Sequence, residues 1–134
     1  MPDIVISTDK GLLQLGAIKR MLDVSYWAAG RDEEIIRVSI ANSMCFGLYR
    51  NGEQIGFARA VTDGATMYYL CDLLIDERFR GEGLGKRLVE AIVGHEELRN
   101  LSGYLRTADA HGLYEAYGFE RDADRFMARK RTGG

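Results

Sequence analysis

The stretch of sequence that decides the fold is Leu73-Leu74-Ile75-Asp76-Glu77-Arg78-Phe79-Arg80-Gly81-Glu82-Gly83-Leu84-Gly85-Lys86. An apolar strand runs into a glycine-rich turn, and the turn opens a helix that we expect to reach Glu97. Glycine lets the backbone approach a ligand closely, and the first turn of a helix offers unpaired N–H groups and a partial positive charge. The stretch therefore predicts a site for a phosphate or pyrophosphate, although a tight turn without a ligand would also use glycines.

Two common nucleotide-binding motifs do not fit this loop. A dinucleotide-binding GxGxxG motif that begins at Gly81 would need glycine where the chain has Lys86. A P-loop would need glycine at the position of Arg80 and Ser or Thr at the position of Arg87. Both nucleotide interpretations are therefore excluded.

The remaining sequence predicts helices and strands in a mixed order. The expected elements are a strand at 4–7, helices at 12–22 and 31–42, strands at 45–50, 54–61 and 66–75, a helix at 83–97, a strand at 101–107, a helix at 110–117 and a strand at 125–130. Asn51-Gly52 is typical of a two-residue hairpin turn. The almost continuously apolar strand 66–75 is expected to be covered on both faces. We predict one mixed α/β domain over residues 1–134, with three antiparallel strands in its middle.

The pattern that does fit the loop is [Q/R]-x-x-G-x-[G/A], carried by Arg80, Gly83 and Gly85. It resembles the coenzyme A-binding signature of the GCN5-related N-acetyltransferase (GNAT) family. The segment 111–119, with the sequence HGLYEAYGF, closely resembles the LYxxxGF helix of that family. The resemblance implies a GNAT-type fold, which is a mixed, mostly antiparallel twisted sheet flanked by helices, with two parallel central strands that splay apart.

The resemblance also implies an enzyme that moves an acetyl group from acetyl-coenzyme A (acetyl-CoA) to a primary amine of a small molecule or peptide. The transfer would be direct, through a tetrahedral intermediate. The acetyl-pantetheine arm would bind along the strand backbone, and the amides of the glycine-rich loop would bind the pyrophosphate. The cofactor-binding residues implied are Leu73, Leu74, Ile75, Arg80, Gly81, Gly83, Leu84, Gly85, Lys86 and Thr107.

Acyl transfer to an amine needs a base for the ammonium, donors for the oxyanion and an acid for the departing thiolate. The amide of Leu74 is the expected oxyanion donor, and by resemblance Tyr114 protonates the thiolate, with a packed aromatic as the alternative. Some family members carry a glutamate where this chain has Cys71, so the base stays open between Asp72 and His111. Asp72 lies in an apolar strand, so it either has a partner or faces the cleft with a perturbed pKa.

The acceptor pocket is expected between the N-terminal helices, with Tyr26, Trp27, Arg31 and His111 as substrate-binding residues. A Tyr-Trp pair at a helix junction such as Tyr26-Trp27 is more often a buried core anchor than a substrate clamp. Thr107 stands where many family members have asparagine. Departures of this kind permit another class of function, an acyl-CoA-binding sensor or interaction module without catalysis.

Composition limits the partners and the compartment. The net charge is −2 and the pI is about 5.7, which argues against a nucleic-acid partner, and the basic segment 125–131 is interpreted as an edge strand. No apolar run is long enough to span a membrane, and no signal peptide is recognised. Cys45 and Cys71 lack metal-ligand spacing, so we expect free thiols, no metal and a cytoplasmic location. A homodimer is expected by resemblance alone.

Overall fold

The structure is a computed structural model that describes residues 3–131. One five-stranded sheet has the order β1 (Ile4–Ser7), β2 (Met44–Arg50), β3 (Glu53–Thr62), β4 (Met67–Ile75) and β5 (Ser102–Leu105). Neighbouring strands are antiparallel except for β5, which is parallel to β4. The helices are α1 (Leu15–Asp23), α2 (Glu33–Ala41), α3 (Leu84–Val93) and α4 (His111–Glu115). The predicted mixed, mostly antiparallel sheet flanked by helices is confirmed.

The sheet separates two hydrophobic clusters, one on each face. The first cluster lies under α3 and α4 and includes the buried side chains Phe46, Leu48, Leu70, Leu88, Ile92 and Tyr114. The second lies under α1 and α2 and includes Ile18, Leu22, Ile36, Phe57 and Leu74. Apolar residues recur every three or four positions on α1 and α3, so each helix buries one face against the sheet. Burial of each large aliphatic side chain contributes about 1.5–3 kcal/mol relative to exposure, and these contacts fix the sheet between the helices.

The hairpin between β2 and β3 forms as predicted. Asn51 has φ 50° and Gly52 has φ 84°, and a turn with two positive φ angles matches the twist of paired strands. Asparagine and glycine tolerate this backbone region better than other residues. The turn sets the pairing of β2 with β3 and thereby helps to position β4.

Strand β4 is less covered than expected. Its buried and half-buried residues alternate along the strand, and Tyr69 and Cys71 remain half-buried. The second cluster, under α1 and α2, includes Leu74 but no residue from the first half of β4. That part of the sheet face is consequently open toward the segment between α1 and α2. Both cysteines are free thiols, as expected.

The predicted strand at 125–130 is wrong. This segment has no strand assignment, Met127 is 93% exposed and Phe126 is half exposed. Alternation of apolar and charged residues supplies a strand with two different faces, but a strand also needs an edge to pair with. Among residues 3–131, β5 pairs with β4 alone, so the segment 125–130 adds no strand to the sheet.

No helix in this described part of the chain is long and apolar enough to cross a membrane.

Candidate active site

A bulge in β4 marks the centre of the site. Asp72 and Leu73 together lie opposite the single residue Ala58 of β3. Asp72 has φ 52°, in the left-handed region that few residues other than glycine, asparagine and aspartate adopt. The bulge also changes which face the side chains take, because Leu70 before it packs under α3 while Leu74 after it packs under α1. Bulges are frequent beside active sites because they redirect a side chain and interrupt strand pairing.

The edge of β4 is open beyond the bulge. Strand β5 pairs with β4 from Met67 to Leu70 and no further, so the two parallel strands separate as expected. Residues 71–75 therefore have no strand partner on that edge within the described residues. Unpaired N–H and C=O groups of a strand edge can bind an extended ligand as an added strand. Leu73, Leu74 and Ile75 lie on this open edge.

The glycine-rich loop follows β4 after one short 3-10 helix, Glu77–Phe79. Arg80 folds back, and its Nε donates to the carbonyl oxygen of Ile75 at 3.3 Å. Gly81 and Gly83 have φ 84° and 78°, so both positions require glycine for backbone reasons. A Cβ built at either glycine meets no atom within 4 Å. The loop therefore makes its turn with its backbone exposed on one side.

The start of α3 offers donors without partners. Gly83 is the N-cap of α3, and no side chain of the described residues caps the helix. The first turn contains no acidic residue, so the amides of Leu84, Gly85 and Lys86 are available to a ligand. Gly85 has neither a positive φ nor a close neighbour, although a glycine inside a helix costs about 0.5–1 kcal/mol relative to alanine. A small residue there leaves space for an anion beside the free amides, and the loop fits a pyrophosphate.

Asp72 is the hub of a side-chain cluster. Its Oδ1 accepts a hydrogen bond from Trp27 Nε1 at 2.9 Å, and its Oδ2 accepts from Arg31 Nη1 and Arg59 Nε, both at 2.8 Å. Arg59 Nη1 also donates to Ser43 Oγ at 2.8 Å. The Asp72 side chain is only 4% exposed. Burial acts to raise the pKa of Asp72, but the hydrogen bonds and positive charges of both arginines outweigh it and lower that pKa.

Arg59 and Ser43 were not predicted from the sequence. A signal for Arg59 was present, because this arginine interrupts the apolar run of β3 as Asp72 interrupts that of β4. Arg59 pairs with Cys71, directly beside Asp72, once the strands are in register. Two opposite charges in neighbouring apolar strands are thus a sign of a buried ion pair. Ser43 gave no comparable signal.

The segment between α1 and α2 carries the aromatic pair predicted to bind substrate. Tyr26 is 63% exposed and Trp27 is 44% exposed, so the core-anchor interpretation is wrong. Their rings meet edge to face with centroids 5.0 Å apart. Tyr26 Oη accepts a hydrogen bond from the amide of Ala108 at 3.3 Å, which ties this segment to the chain just before α4. Through Trp27 and Tyr26 the segment therefore connects Asp72 with the chain just before α4.

Tyr114 lies on α4 with its ring buried and its hydroxyl accessible. The residue is 8% exposed, and its ring packs edge to face on Phe119 at 5.9 Å. Tyr114 Oη has no hydrogen-bond partner among residues 3–131, and the one fully buried polar side-chain atom without a partner there is Tyr49 Oη. Burial, followed by the negative charge of Asp109, raises the pKa of Tyr114 to about 12. Its phenol therefore keeps its proton at neutral pH.

The other predicted site residues have simpler surroundings. His111 is the half-buried first residue of α4, one helical turn before Tyr114. Thr107 Oγ1 accepts a hydrogen bond from the amide of Ala110 at 3.0 Å and so holds the turn before α4. Lys86 is exposed on α3. Within residues 3–131 no group of three or more His, Cys, Asp or Glu side chains is placed to hold a metal ion.

The structure arranges these residues in two groups joined by β4. Trp27, Arg31 and Asp72 meet in the side-chain cluster, while Ile75 and Arg80 meet at the start of the glycine-rich loop. No hydrogen bond within the described range links the loop 80–86 to Asp72 or to Tyr114. A ligand that contacts both groups would have to lie along the open edge of β4.

Comparison with known proteins identifies the family. Residues 41–121, more than half of the chain, match the family model described as an acetyltransferase (GNAT) domain. The chain belongs to the GNAT family. A candidate acetyltransferase of Gibberella zeae is similar at 34% identity over 136 residues, which covers 84% of this chain and 76% of the relative. The family and the acyltransferase class predicted from the loop and from the 111–119 motif are confirmed.

Solved GNAT structures share the whole architecture. A candidate GNAT acetyltransferase of Xanthomonas campestris pv. campestris superposes with a TM-score of 0.90 and 38% identity, covering 98% of this chain and 95% of that one. An aminoglycoside N-acetyltransferase solved in complex with CoA has a TM-score of 0.69 and 18% identity, covering 98% of this chain and 95% of that one. The second likeness shows the GNAT fold alone, because the identity is low. The Xanthomonas protein, at 38% identity, matches this chain over 98% of its length.

Proposed function

We propose that this GNAT protein transfers the acetyl group of acetyl-CoA to a primary amine of a small molecule or peptide. The observation that carries the proposal is the open edge of β4 leading directly into an uncapped, glycine-rich helix start. A thioester on an extended arm that ends in a pyrophosphate needs these two features in this order. A protein of the same fold was solved with CoA, which supports the same ligand here.

The cofactor would be held mainly by backbone groups. The amides from Gly81 to Lys86 would bind the pyrophosphate, with the charges of Arg80 and Lys86 close by. Backbone groups of residues 73–75 would hold the pantetheine arm as an added strand. When bound, acetyl-CoA supplies the thioester, and the chain supplies its orientation. Thr107, whose oxygen already accepts one hydrogen bond, has its hydroxyl proton left to donate to the arm.

The bulge is the proposed oxyanion site. A carbonyl attacked by an amine gains negative charge on its oxygen, and backbone N–H groups that are already oriented stabilise that charge without reorganisation. The left-handed conformation of Asp72 redirects the backbone just before Leu73 and Leu74. We assign the Leu74 amide, or its neighbour at the bulge, to this role.

Tyr114 is the proposed acid. Its hydroxyl is accessible, protonated and without a partner among the described residues, so it can donate to the departing sulfur. A phenol with a pKa of about 12 is a weaker acid than a thiol with an ordinary pKa of about 8.5. In water the proton would therefore stay on Tyr114. The same water-poor site would raise the pKa of the thiol as well, so Tyr114 first donates a hydrogen bond and yields its proton as the thiolate leaves.

Asp72 is better suited to position other side chains than to act as the general base. Both of its oxygens accept hydrogen bonds, and its lowered pKa makes it a poor proton acceptor. We propose that it fixes Trp27 and Arg31 at the acceptor side of the bulge. His111, half-buried and one turn before Tyr114, is then the side chain proposed to pass the ammonium proton to solvent.

The test is turnover of acetyl-CoA with a panel of primary amines, followed by release of free thiol. Wild-type protein is expected to turn over at least one amine. Tyr114→Phe should lower kcat about 100-fold with little change in CoA affinity, because general acid catalysis typically contributes at least that factor. Tight CoA binding with no turnover of any amine would favour the sensor or interaction module instead.

The remaining assignments are part of the same proposal. Residues 1–134 would act as one domain, and the two free thiols favour a reducing compartment such as the cytoplasm. The partners proposed are the amine acceptor and acetyl-CoA, without nucleic acid, which the net charge of −2 disfavours. The homodimer stays a prediction from resemblance.

A further inference from the structure

The cluster around Asp72 carries a surplus of positive charge. Arg31 and Arg59 contribute two positive charges, and Asp72 contributes one negative charge. The three side chains are 22%, 12% and 4% exposed, in that order, so water screens their charges poorly. The ion pairs therefore leave about one unbalanced positive charge at the acceptor side of the bulge.

The Arg31 nitrogens that do not bind Asp72 are available to a ligand. Its Nη1 binds Asp72, whereas its Nε and Nη2 have no hydrogen-bond partner among residues 3–131. These two nitrogens reach solvent, since neither is among the fully buried atoms without a partner. They form one edge of the guanidinium, with two parallel N–H bonds that match the two oxygens of a carboxylate. The free edge of Arg31 is therefore a preformed fork for an anion.

A negative charge lies near the other end of the segment that carries Arg31. Tyr26 Oη binds the amide of Ala108, so the segment that carries Arg31 reaches the residue before Asp109. Asp109 is close enough to Tyr114 for its negative charge to raise the pKa of that phenol. A positive fork near the bulge and a carboxylate near the proposed acid suit a substrate that carries both charges. The exposed rings of Tyr26 and Trp27 contact each other on this segment, where Trp27 bonds to Asp72 and Tyr26 bonds to Ala108.

We propose that the amine acceptor carries a carboxylate, which Arg31 binds through its Nε and Nη2 edge. Free amino acids and peptides that have an acidic group near the reacting amine share this chemistry, and polyamines lack it. Asp109 would attract the ammonium toward Tyr114, and Asp72 would hold Arg31 in place. This inference rests on the proposed acetyl transfer, because it names the class of acceptor for that same site.

The test uses acceptor pairs that differ only in charge. The free pair is an amino acid and its α-carboxamide, and the peptide pair begins with aspartate or with asparagine, so that each pair differs in one charge near the reacting amine. Thiol release gives kcat/KM for each member. The carboxylate member is expected to have a kcat/KM at least about tenfold higher, mainly through a lower KM, since charge-assisted hydrogen bonds are the strong ones. The free and peptide arms show which source of the carboxylate the site accepts.

Variants assign the preference to Arg31. Arg31→Met should lower kcat/KM for the carboxylate member by at least about tenfold more than for the amide member and so remove the preference. Arg31→Lys should retain part of the preference because a lysine keeps the charge without the fork. Arg37→Met is the matched control, because Arg37 is 59% exposed on α2 and, among residues 3–131, forms an ion pair only with Glu33 at the surface. If Arg31→Met fails to fold by circular dichroism, the lysine variant alone decides. An unchanged preference in the variant that folds would overturn the inference.

A binding measurement separates this inference from the proposed function. The thermal shift of the CoA-loaded protein is measured with each carboxylate and its amide. Suppose that carboxylates give a larger thermal shift than amides, that Arg31→Met loses this difference, and that no amine is turned over. This result would overturn acetyl transfer and support the anion site. Turnover of amides or polyamines as fast as carboxylates would overturn the anion site and leave acetyl transfer standing. Failure of both turnover and carboxylate preference would overturn both.

Discussion

The two sides of the β4 bulge are built from different parts of the chain. On the cofactor side the proposed ligand-binding groups are backbone amides and carbonyls of residues 73–75 and 81–86, and apart from Leu84 the side chains of 81–86 are small or exposed. On the acceptor side the groups are side chains from three separate segments that meet at Asp72. A backbone site depends on local conformation, whereas a side-chain site depends on the whole fold. We therefore expect damage to the two sides to have different consequences for stability and binding.

The largest expected effect is the loss of stability in Asp72→Ala. Removing the carboxylate leaves Arg31 and Arg59 facing each other in a poorly hydrated place, and loss of one partner of a buried pair typically costs about 3–5 kcal/mol. Urea unfolding of wild type and Asp72→Ala measures this loss of unfolding free energy. Asp72→Asn tolerates φ 52° and can still accept from Trp27, so it should lose less. Glu33→Ala removes an exposed pair with Arg37 and should change the free energy of unfolding by no more than about 0.5 kcal/mol. Equal effects for Asp72→Ala and Glu33→Ala would contradict a buried acceptor cluster.

A smaller effect is expected from Gly83→Ala on the cofactor side. Gly83 has φ 78°, and an L-residue in that region costs about 1–2 kcal/mol. Gly85→Ala is the control two residues on, where the backbone is helical and a Cβ has room, so it should stabilise the protein by about 0.5–1 kcal/mol. Thermal unfolding of the two variants measures the contrast. The same sign for both would show that the loop conformation does not require glycine at residue 83.

The smallest expected effect concerns pH and the acceptor side alone. Because the folded-state pKa of Asp72 is lowered, this group stabilises the fold above its unfolded pKa, and the contribution is lost as pH falls through the folded pKa. The difference in unfolding free energy between wild type and Asp72→Asn should therefore be constant near neutral pH and shrink in acid. A difference that grows as the pH falls would contradict an ionised, paired Asp72.

The same contrast explains what the sequence could predict. Gly81 and Gly83 are required by their own φ angles, so a local motif is enough to locate the cofactor side. Asp72 was recognised because a charge in an apolar strand must be accounted for. Its partners were only half recognised, since Trp27 and Arg31 were assigned to substrate and Arg59 was missed. That pairing follows from the β3–β4 register, a long-range property.

The C-terminal segment shows the limit of periodicity. Residues 125–130 alternate like a strand, and the same rule correctly located β2 and β3. Those strands have a tight turn at Asn51-Gly52 that brings each one to its partner. The C-terminal segment follows a turn at 123–125, but within residues 3–131 it pairs with no strand and its side chains stay exposed. A pattern of faces predicts a strand only where the chain also brings an edge to pair with.

The most direct test of a backbone-built cofactor site is CoA affinity by calorimetry in Gly85→Asp and Gly16→Asp. Each glycine is the second residue of its helix, α3 or α1, where an aspartate favours the helix by about 0.3–1 kcal/mol. Both variants should therefore unfold at or above the wild-type temperature. We predict that Gly85→Asp weakens CoA binding at least about 100-fold by placing negative charge at the pyrophosphate site, while Gly16→Asp binds as wild type does. A folded Gly85→Asp protein that binds CoA with wild-type affinity would contradict the account.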